Sequence, residues 1–198
     1  MKRESIEKKV VAGLMIWGGS VAIAAYSGFL QAIPRELGAA LAVAGIIIPA
    51  VIYFRNAPLR EFISGLGIKT LTVFHIWRIG AGALFLFYGA NDLLPEIFVA
   101  NAGYGDIAVG LLAAVVLLMP EWNSKYWVFH VVGMADFVVA VGTGLTLVLS
   151  GNALMNNLFQ LPVVLIPLFG VGVSGAMHIF AFDILRKSKG TEISQAIA

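Results

Sequence analysis

Residues 68–90 read IKTLTVFHIWRIGAGALFLFYGA, an apolar run that contains the basic side chains Lys69, His75 and Arg78. An α-helix that crosses a bilayer needs roughly 20 mainly apolar residues, and this run meets that requirement. A charge at the centre of a membrane costs about 2.5–3.5 kcal/mol on insertion scales, so it usually has a partner or a role. The run therefore predicts a spanning helix with a buried polar site.

The whole chain shares this apolar character. Of its 198 residues, 60% are hydrophobic and 12% are charged, and the mean hydropathy is +0.92. Soluble domains have about 45–50% apolar and about 25% charged residues. The composition excludes a disordered chain, a nucleic-acid-binding domain and an ordinary soluble enzyme, and it predicts an integral membrane protein in a lipid bilayer. Because the chain has no cysteine, thiolate metal sites, iron–sulfur clusters and cysteine nucleophiles are also excluded.

Six apolar segments are long enough to span a membrane. We predict an all-α, polytopic membrane protein, a bundle of six transmembrane helices in one domain of residues 1–189, with a disordered cytoplasmic tail at 190–198. The first segment exceeds the apolar core of a cleavable signal, roughly 7–15 residues, so it is predicted to be retained. Residues 57–67 are predicted to form a helix along the cytoplasmic surface, and residues 93–101 an interfacial or re-entrant counterpart outside. The predicted spans are about 10–32, 36–54, 68–90, 104–119, 126–149 and 159–185.

The positions of the Lys and Arg residues predict the orientation. Eleven of them fall in the N-terminus, in the loops after the second and fourth spans, and in the C-terminal tail, whereas Arg35 falls on the other side and Arg78 lies within a span. Basic residues collect in cytoplasmic loops. Both termini are therefore predicted to be cytoplasmic, an N-in/C-in topology, in a multi-pass protein of the cell inner (cytoplasmic) membrane.

The histidines of the chain fall at similar depth in three predicted spans. With a rise of about 1.5 Å per residue, His75, His130 and His178 lie roughly 10, 6 and 10 Å from the cytoplasmic ends of their helices. Neutral imidazole is the commonest metal ligand and suits haem iron, copper and zinc. We predict that the three histidines bind a cofactor, either haem b or a single transition metal. The alternative is that each ring hydrogen-bonds a neighbour and only packs.

Two further ionisable residues lie deeper, each roughly 15 Å from the cytoplasmic side. Arg78 and Asp136 are predicted to form a buried ion pair, or alternatively part of a proton or anion pathway. Asp106 precedes the apolar run of the fourth span, where its carboxylate is predicted to cap the free N–H groups of that helix. The alternative for Asp106 is an outer-side polar site made with Asn91, Asp92, Glu96 and Asn101.

The segment 94–111, LPEIFVANAGYGDIAVGL, resembles the most recognisable stretch of a set of small uncharacterised bacterial membrane proteins. Those sequences share a Pro-x-x-Phe…Ala-Gly-x-Gly-Asp…Val-Gly-Leu pattern, and the similarity extends to Gly133-x-x-Asp136 and to His178. The resemblance implies a single six-helix unit and carries over no activity, ligand or mechanism. The matching residues are Pro95, Phe98, Ala102, Gly103, Gly105, Asp106, Val109, Gly110 and Leu111.

These observations support three hypotheses for function and leave enzymatic activity open. The first is a membrane haem or metal protein in electron transfer, based on the three histidines. The second is a small proton-coupled transporter or channel that uses Arg78 and Asp136. The third is a non-catalytic subunit of a larger membrane complex, or a homo-oligomer, based on the glycine-rich helix faces and short loops.

Overall fold

A computed structural model describes residues 3–122 and 124–188 in full, and the backbone alone at residues 2, 123 and 189–197. The predicted disordered tail, residues 190–198, lies outside the fully described part. No β-strand occurs among residues 2–197. Six helices in the fully described part are long and apolar enough to cross a membrane, which confirms the predicted all-α, six-helix architecture.

The chain forms nine α-helices between residues 2 and 197, with four short segments of tighter or wider helix. The short segments are 3₁₀-helices at His75–Trp77 and Ala153–Phe159, and π-helices at Val99–Tyr104 and Ile166–Gly170. The α-helices are α1 (Lys2–Tyr26), α2 (Phe29–Ala32), α3 (Arg35–Arg55), α4 (Ala57–Phe74), α5 (Arg78–Ala90), α6 (Glu96–Phe98), α7 (Gly105–Leu118), α8 (Asn123–Leu149) and α9 (Val171–Ile197).

The third predicted span joins the helix before it across a kink. Helix α4 is interrupted at Gly67, whose φ of 79° and ψ of 159° are not helical. Only glycine adopts this backbone conformation without strain, so Gly67 separates residues 57–66 from the start of the third span. The boundary predicted between an interfacial helix and a spanning helix therefore coincides with a real change of direction.

Two predicted boundaries differ from the structure. The fourth spanning helix begins at Glu96, so most of the stretch predicted as interfacial or re-entrant forms its first turns through α6 and the π-helix. Pro95 occupies the N-cap of α6, where a missing N–H costs no hydrogen bond. The sixth begins at Ile166 rather than at residue 159, because a 3₁₀-helix and a turn containing Pro162 occupy the earlier residues.

Helix α9 lies at the centre of the bundle and α1 at its edge. Of the most apolar stretch of the sixth spanning helix, 61% of the residues are buried inside the protein, against 11% for the first. Helix α9 packs against α3, α4 and α8, and α5 packs against α7. Small residues allow such close approach in lipid, as where Gly82 of α5 faces the carbonyl of Gly103. A side chain in the middle of α9 is therefore reached by several helices.

Candidate functional site

The structure brings the three histidines together beside the first half of α9. His75 lies in the 3₁₀ turn between α4 and α5, His130 in α8 and His178 in α9, and each is fully buried. One nitrogen from each ring can be chosen so that the three lie within 4.8 Å of one another. The rings of His75 and His178 stack at 4.0 Å between centroids, and the Nδ1 atoms of His130 and His178 are 2.9 Å apart. We name these three residues the histidine cluster.

Thr72 fixes the arrangement of protons in the histidine cluster. Its hydroxyl donates to the carbonyl of Ile68 at 2.9 Å, so its oxygen accepts from Nε2 of His130 at 3.4 Å. A neutral imidazole has one N–H and one lone pair, so His130 then accepts at Nδ1 from the N–H of His178. This assignment leaves Nε2 of His178 with a free lone pair.

Three nitrogens of the histidine cluster are unpaired. Both ring nitrogens of His75, and Nε2 of His178, are buried without a hydrogen-bond partner among the described residues. Buried polar atoms nearly always have a partner, and each one without costs about 1–3 kcal/mol. Two lone pairs, one on His75 and one on His178, are therefore available to a ligand that accepts electron density, and a metal ion is such a ligand.

Local sequence brings the three rings close. A Cβ at Gly133 of α8 would lie 2.5 Å from Cε1 of His178, so glycine is needed for α8 to pass this ring. Phe129, one turn earlier, packs against His130 at 4.8 Å and against His75 at 5.5 Å between ring centroids. These two residues close the cluster on the side of α8 and keep it apolar.

Arg78 lies one turn after His75 and contacts two carboxylates. Its Nε donates to Oδ1 of Asp106 at 2.6 Å, and its Nη2 donates to Oδ2 of Asp136. Arg78 is 2% exposed and Asp106 is 9% exposed, while Asp136 is partly buried. A Cβ at Gly105 would overlap Oδ1 of Asp136, so this glycine gives the carboxylate its room. With one cation and two anions, this arginine–aspartate cluster carries a formal charge of −1.

Asp106 does not cap the helix that follows it. Tyr104 is the N-cap residue of α7, and no side chain caps that helix end. The carboxylate of Asp106 instead accepts from Arg78, because burial in the bundle leaves a cation as its best partner. The residues expected beside it bond elsewhere, since Asn91 donates to the carbonyl of Phe87 and Asn101 donates to Thr143. The prediction of an N-cap at Asp106 is therefore wrong, while the alternative of an outer-side polar site at Asp106 stays a prediction.

Two other residues had no role in the sequence prediction. Thr72 contacts His130, and its signal is a hydroxyl three residues before His75, which places both on one face of a helix. Lys125, at the start of α8, is 1% exposed and donates from Nζ to the carbonyl of Met119 at 2.8 Å. No pattern of spacing signals that burial, because it depends on the path of the loop before α8.

Comparison with known proteins identifies a family and no activity. No curated protein and no solved structure matches the chain. A family model described as a domain of unknown function (DUF8737) matches residues 66–186, a segment that holds both the histidine cluster and the arginine–aspartate cluster. Since this match covers more than half of the chain, the protein belongs to the DUF8737 family.

Proposed function

We propose that this protein is an integral membrane metal protein, in which His75, His130 and His178 bind one transition-metal ion that serves electron transfer. The observation that carries the proposal is the convergence of three buried imidazoles with ligand atoms within 4.8 Å of one another. Two of these rings have buried nitrogens that no described protein group satisfies. A bound ion would give a lone pair of His75 the partner that the fold withholds. It would also replace the hydrogen bond between Nδ1 of His130 and Nδ1 of His178, with His178 in its other tautomer.

The donor set limits which ions suit the site. Imidazole nitrogen suits copper, iron, nickel and zinc, whereas magnesium and calcium prefer oxygen ligands. Copper and iron change oxidation state, and zinc does not, so electron transfer requires one of the first two. The apolar shell that includes Phe129 would keep water from the ion, and such a shell tunes its redox potential.

Packing within the cluster favours a single ion over haem b. Two imidazoles that ligate haem iron from opposite faces have nitrogens about 4 Å apart with the porphyrin between them. Here the rings of His75 and His178 stack directly at 4.0 Å, and His130 and His178 are in hydrogen-bond contact at 2.9 Å. A single ion with nitrogen ligands at about 2.0–2.1 Å needs ligand atoms roughly 3 Å apart. The 2.9 Å between Nδ1 of His130 and Nδ1 of His178 is close to this spacing.

The proposed location follows from the charge distribution. Eleven basic residues at one set of helix ends support cytoplasmic termini in the inner membrane, with the histidine cluster in the cytoplasmic half of the bilayer. A tag at each terminus and a membrane-impermeant labelling reagent test this orientation. Labelling of both tags only after lysis of the inner membrane would support it.

Elemental analysis of the protein purified in mild detergent tests the proposal. We expect about one equivalent of copper or iron, either as purified or after reconstitution of metal-free protein with Cu⁺ or Fe²⁺. His75→Leu, His130→Leu and His178→Leu should each abolish it, while Thr70→Leu, on an exposed position of α4, should retain it. A folded wild-type protein that neither contains nor takes up these metals would overturn the proposal.

A second function, proton-coupled transport, is favoured by the arginine–aspartate cluster. Its formal charge of −1 lies deep in the bundle, where a proton can neutralise it and cross the midplane. Transport would be supported by proton flux into proteoliposomes that is lost in Asp136→Asn. The same flux should be kept in the control Asp183→Asn, which changes a carboxylate near the helix end. Flux equal to that of empty liposomes would exclude it.

A further inference from the structure

A cavity of about 90 Å³ lies on the side of Arg78 that faces α3 and α8. Its lining is apolar except at one end, where Arg78 and Asp106 border it. Four aromatic rings form part of the wall, those of Phe85, Phe98, Phe137 and Phe159. The cavity thus has apolar walls and a single polar end, the pattern of sites that orient a small molecule through a few polar groups.

Both π-helical segments of the bundle border this cavity. Ala102 belongs to the first and Pro167 to the second, and both residues line the wall. π-helical turns are rare and occur frequently at functional sites, because the wider turn displaces a length of helix from its regular path. Two of them against one cavity indicate that its shape is specified by the fold.

Arg78, which borders the polar end of the cavity, has one nitrogen that bonds to no described protein group. Arg78 uses Nε for Asp106 and Nη2 for Asp136, while Nη1 is buried without a partner in the described part of the chain. A guanidinium group only donates, so its ligand must present an acceptor oxygen. A ligand carboxylate would meet two carboxylates already in place, so an uncharged acceptor such as a carbonyl fits this end better.

The cavity adjoins a groove on the surface of the bundle. Ala39 and Leu145 line both the cavity and a groove of about 530 Å³ between α3 and α8. Side chains on the groove, such as Ile47 and Ile48, are more than half exposed on a helix that spans the membrane. An apolar tail can therefore follow the groove into the lipid while its head lies at Arg78.

We propose that this cavity and groove bind a membrane quinone. A carbonyl of the uncharged ring accepts a hydrogen bond from Nη1 of Arg78, the ring edge enters the cavity between the phenylalanines, and the tail lies along the groove. Aromatic rings favour offset or edge contacts with a flat conjugated ring. The proposal concerns binding alone and does not rest on the metal site, so it is testable on metal-free protein.

Equilibrium binding of decyl-ubiquinone to metal-free protein in detergent micelles tests this site. We expect saturable binding of one molecule per chain. Ala140→Leu places a larger side chain in the cavity wall and should weaken binding about tenfold or more, whereas Val139→Leu, at the adjacent exposed position, should not change it. Arg78→Lys, which keeps the charge and loses the free guanidinium donor, should weaken binding by a similar factor.

Two further ligands distinguish the quinone from other occupants. Decylbenzene has the tail and a ring without carbonyls, and decanoic acid has an anionic head, so both should compete at least tenfold less well than decyl-ubiquinone. Equal competition by either ligand, no saturable binding by the wild type, or unchanged binding in Ala140→Leu would each overturn the proposal. Absence of metal would leave the result intact, so this test and the metal test fail independently.

Discussion

Two buried polar clusters lie within one helical turn of each other and differ in how far the protein satisfies them. In the arginine–aspartate cluster, each charge has an opposite charge within hydrogen-bond distance. In the histidine cluster, no ring is paired with a charged group, and three of the six ring nitrogens lack a partner among the described residues. Arg78 therefore holds α5, α7 and α8 together, whereas the histidines are better explained by a ligand than by the fold.

This difference predicts opposite effects of apolar substitution on stability. Removing one member of a buried ion group strands the remaining charges, which costs about 3–5 kcal/mol. Removing a side chain whose nitrogens have no partner relieves a penalty. Substitutions in the two clusters therefore test whether one is structural and the other functional.

The largest effect is expected for Arg78→Leu. It leaves Asp106 and Asp136 buried without a cation, so the free energy of unfolding should fall by about 3–5 kcal/mol, measured by thermal unfolding of the detergent-solubilised protein. The triple variant Arg78→Leu/Asp106→Asn/Asp136→Asn should recover part of this loss because no charge remains. A triple variant as unstable as the single one would show that the arginine stabilises the bundle mainly through its packing and not through its charge.

Substitutions of the glycines beside the two clusters test each cluster by itself, and a smaller loss of stability is expected from them. A Cβ at Gly105 would overlap Asp136, and a Cβ at Gly133 would lie 2.5 Å from His178. Gly105→Ala and Gly133→Ala should each lower the free energy of unfolding by about 1–3 kcal/mol through overpacking. Only Gly133→Ala should also lower metal occupancy, measured by elemental analysis.

Gly80→Ala on α5 is the matched control for these glycines. A Cβ there has no atom within 4 Å, so stability and metal occupancy should be unchanged or slightly improved by the higher helix propensity of alanine. Equal loss of metal in Gly105→Ala and Gly133→Ala would mean that the two clusters form one unit.

The sequence predicted the parts of this arrangement that depend on single helices. Spans follow from apolar length, and the common depth of His75, His130 and His178 follows from counting residues along each helix. Which helices are neighbours depends on packing in three dimensions, and no periodicity encodes it. The partnership of Asp106 with Arg78 was missed for that reason, since it needs α7 to lie against α5.

The start of the fourth span was missed for a different reason. The segment before Gly105 contains Pro95, Glu96 and Asn101, which are typical of a loop, and the prediction placed a boundary there. In the structure these residues continue as α6 and a π-helix, with Asn101 bonded to Thr143 of α8. Tertiary contacts overrode local propensity at the point where the chain turns back into the bundle.

His75→Leu in metal-free protein should produce the reverse of the Arg78→Leu effect. Both nitrogens of His75 are buried without partners in the described region, so leucine should raise the free energy of unfolding by about 1 kcal/mol. Thermal unfolding with and without added Cu⁺ measures both consequences, because the stabilisation by metal that is expected for wild type should be absent from this variant. A His75→Leu protein less stable than metal-free wild type would mean that this ring has a structural role.

The smallest effect on stability is expected at an ion pair on the surface, between a lysine and a glutamate. Glu121, in the loop before α8, accepts from Nζ of Lys69 at 2.8 Å, and this bond holds the pKa of the Glu121 carboxyl below its ordinary value. A carboxyl with a lowered pKa in the folded state adds stability above its ordinary pKa, and that contribution is lost as the pH falls through the lowered value. Thermal unfolding of Glu121→Gln should therefore show a slightly lower midpoint than wild type at pH 7 and the same midpoint once Glu121 is protonated. If the midpoints of Glu121→Gln and wild type still differ at low pH, the effect comes from the shape of the side chain and not from its charge. A loss of stability as large as that of Arg78→Leu would contradict the view that burial makes the arginine–aspartate cluster essential.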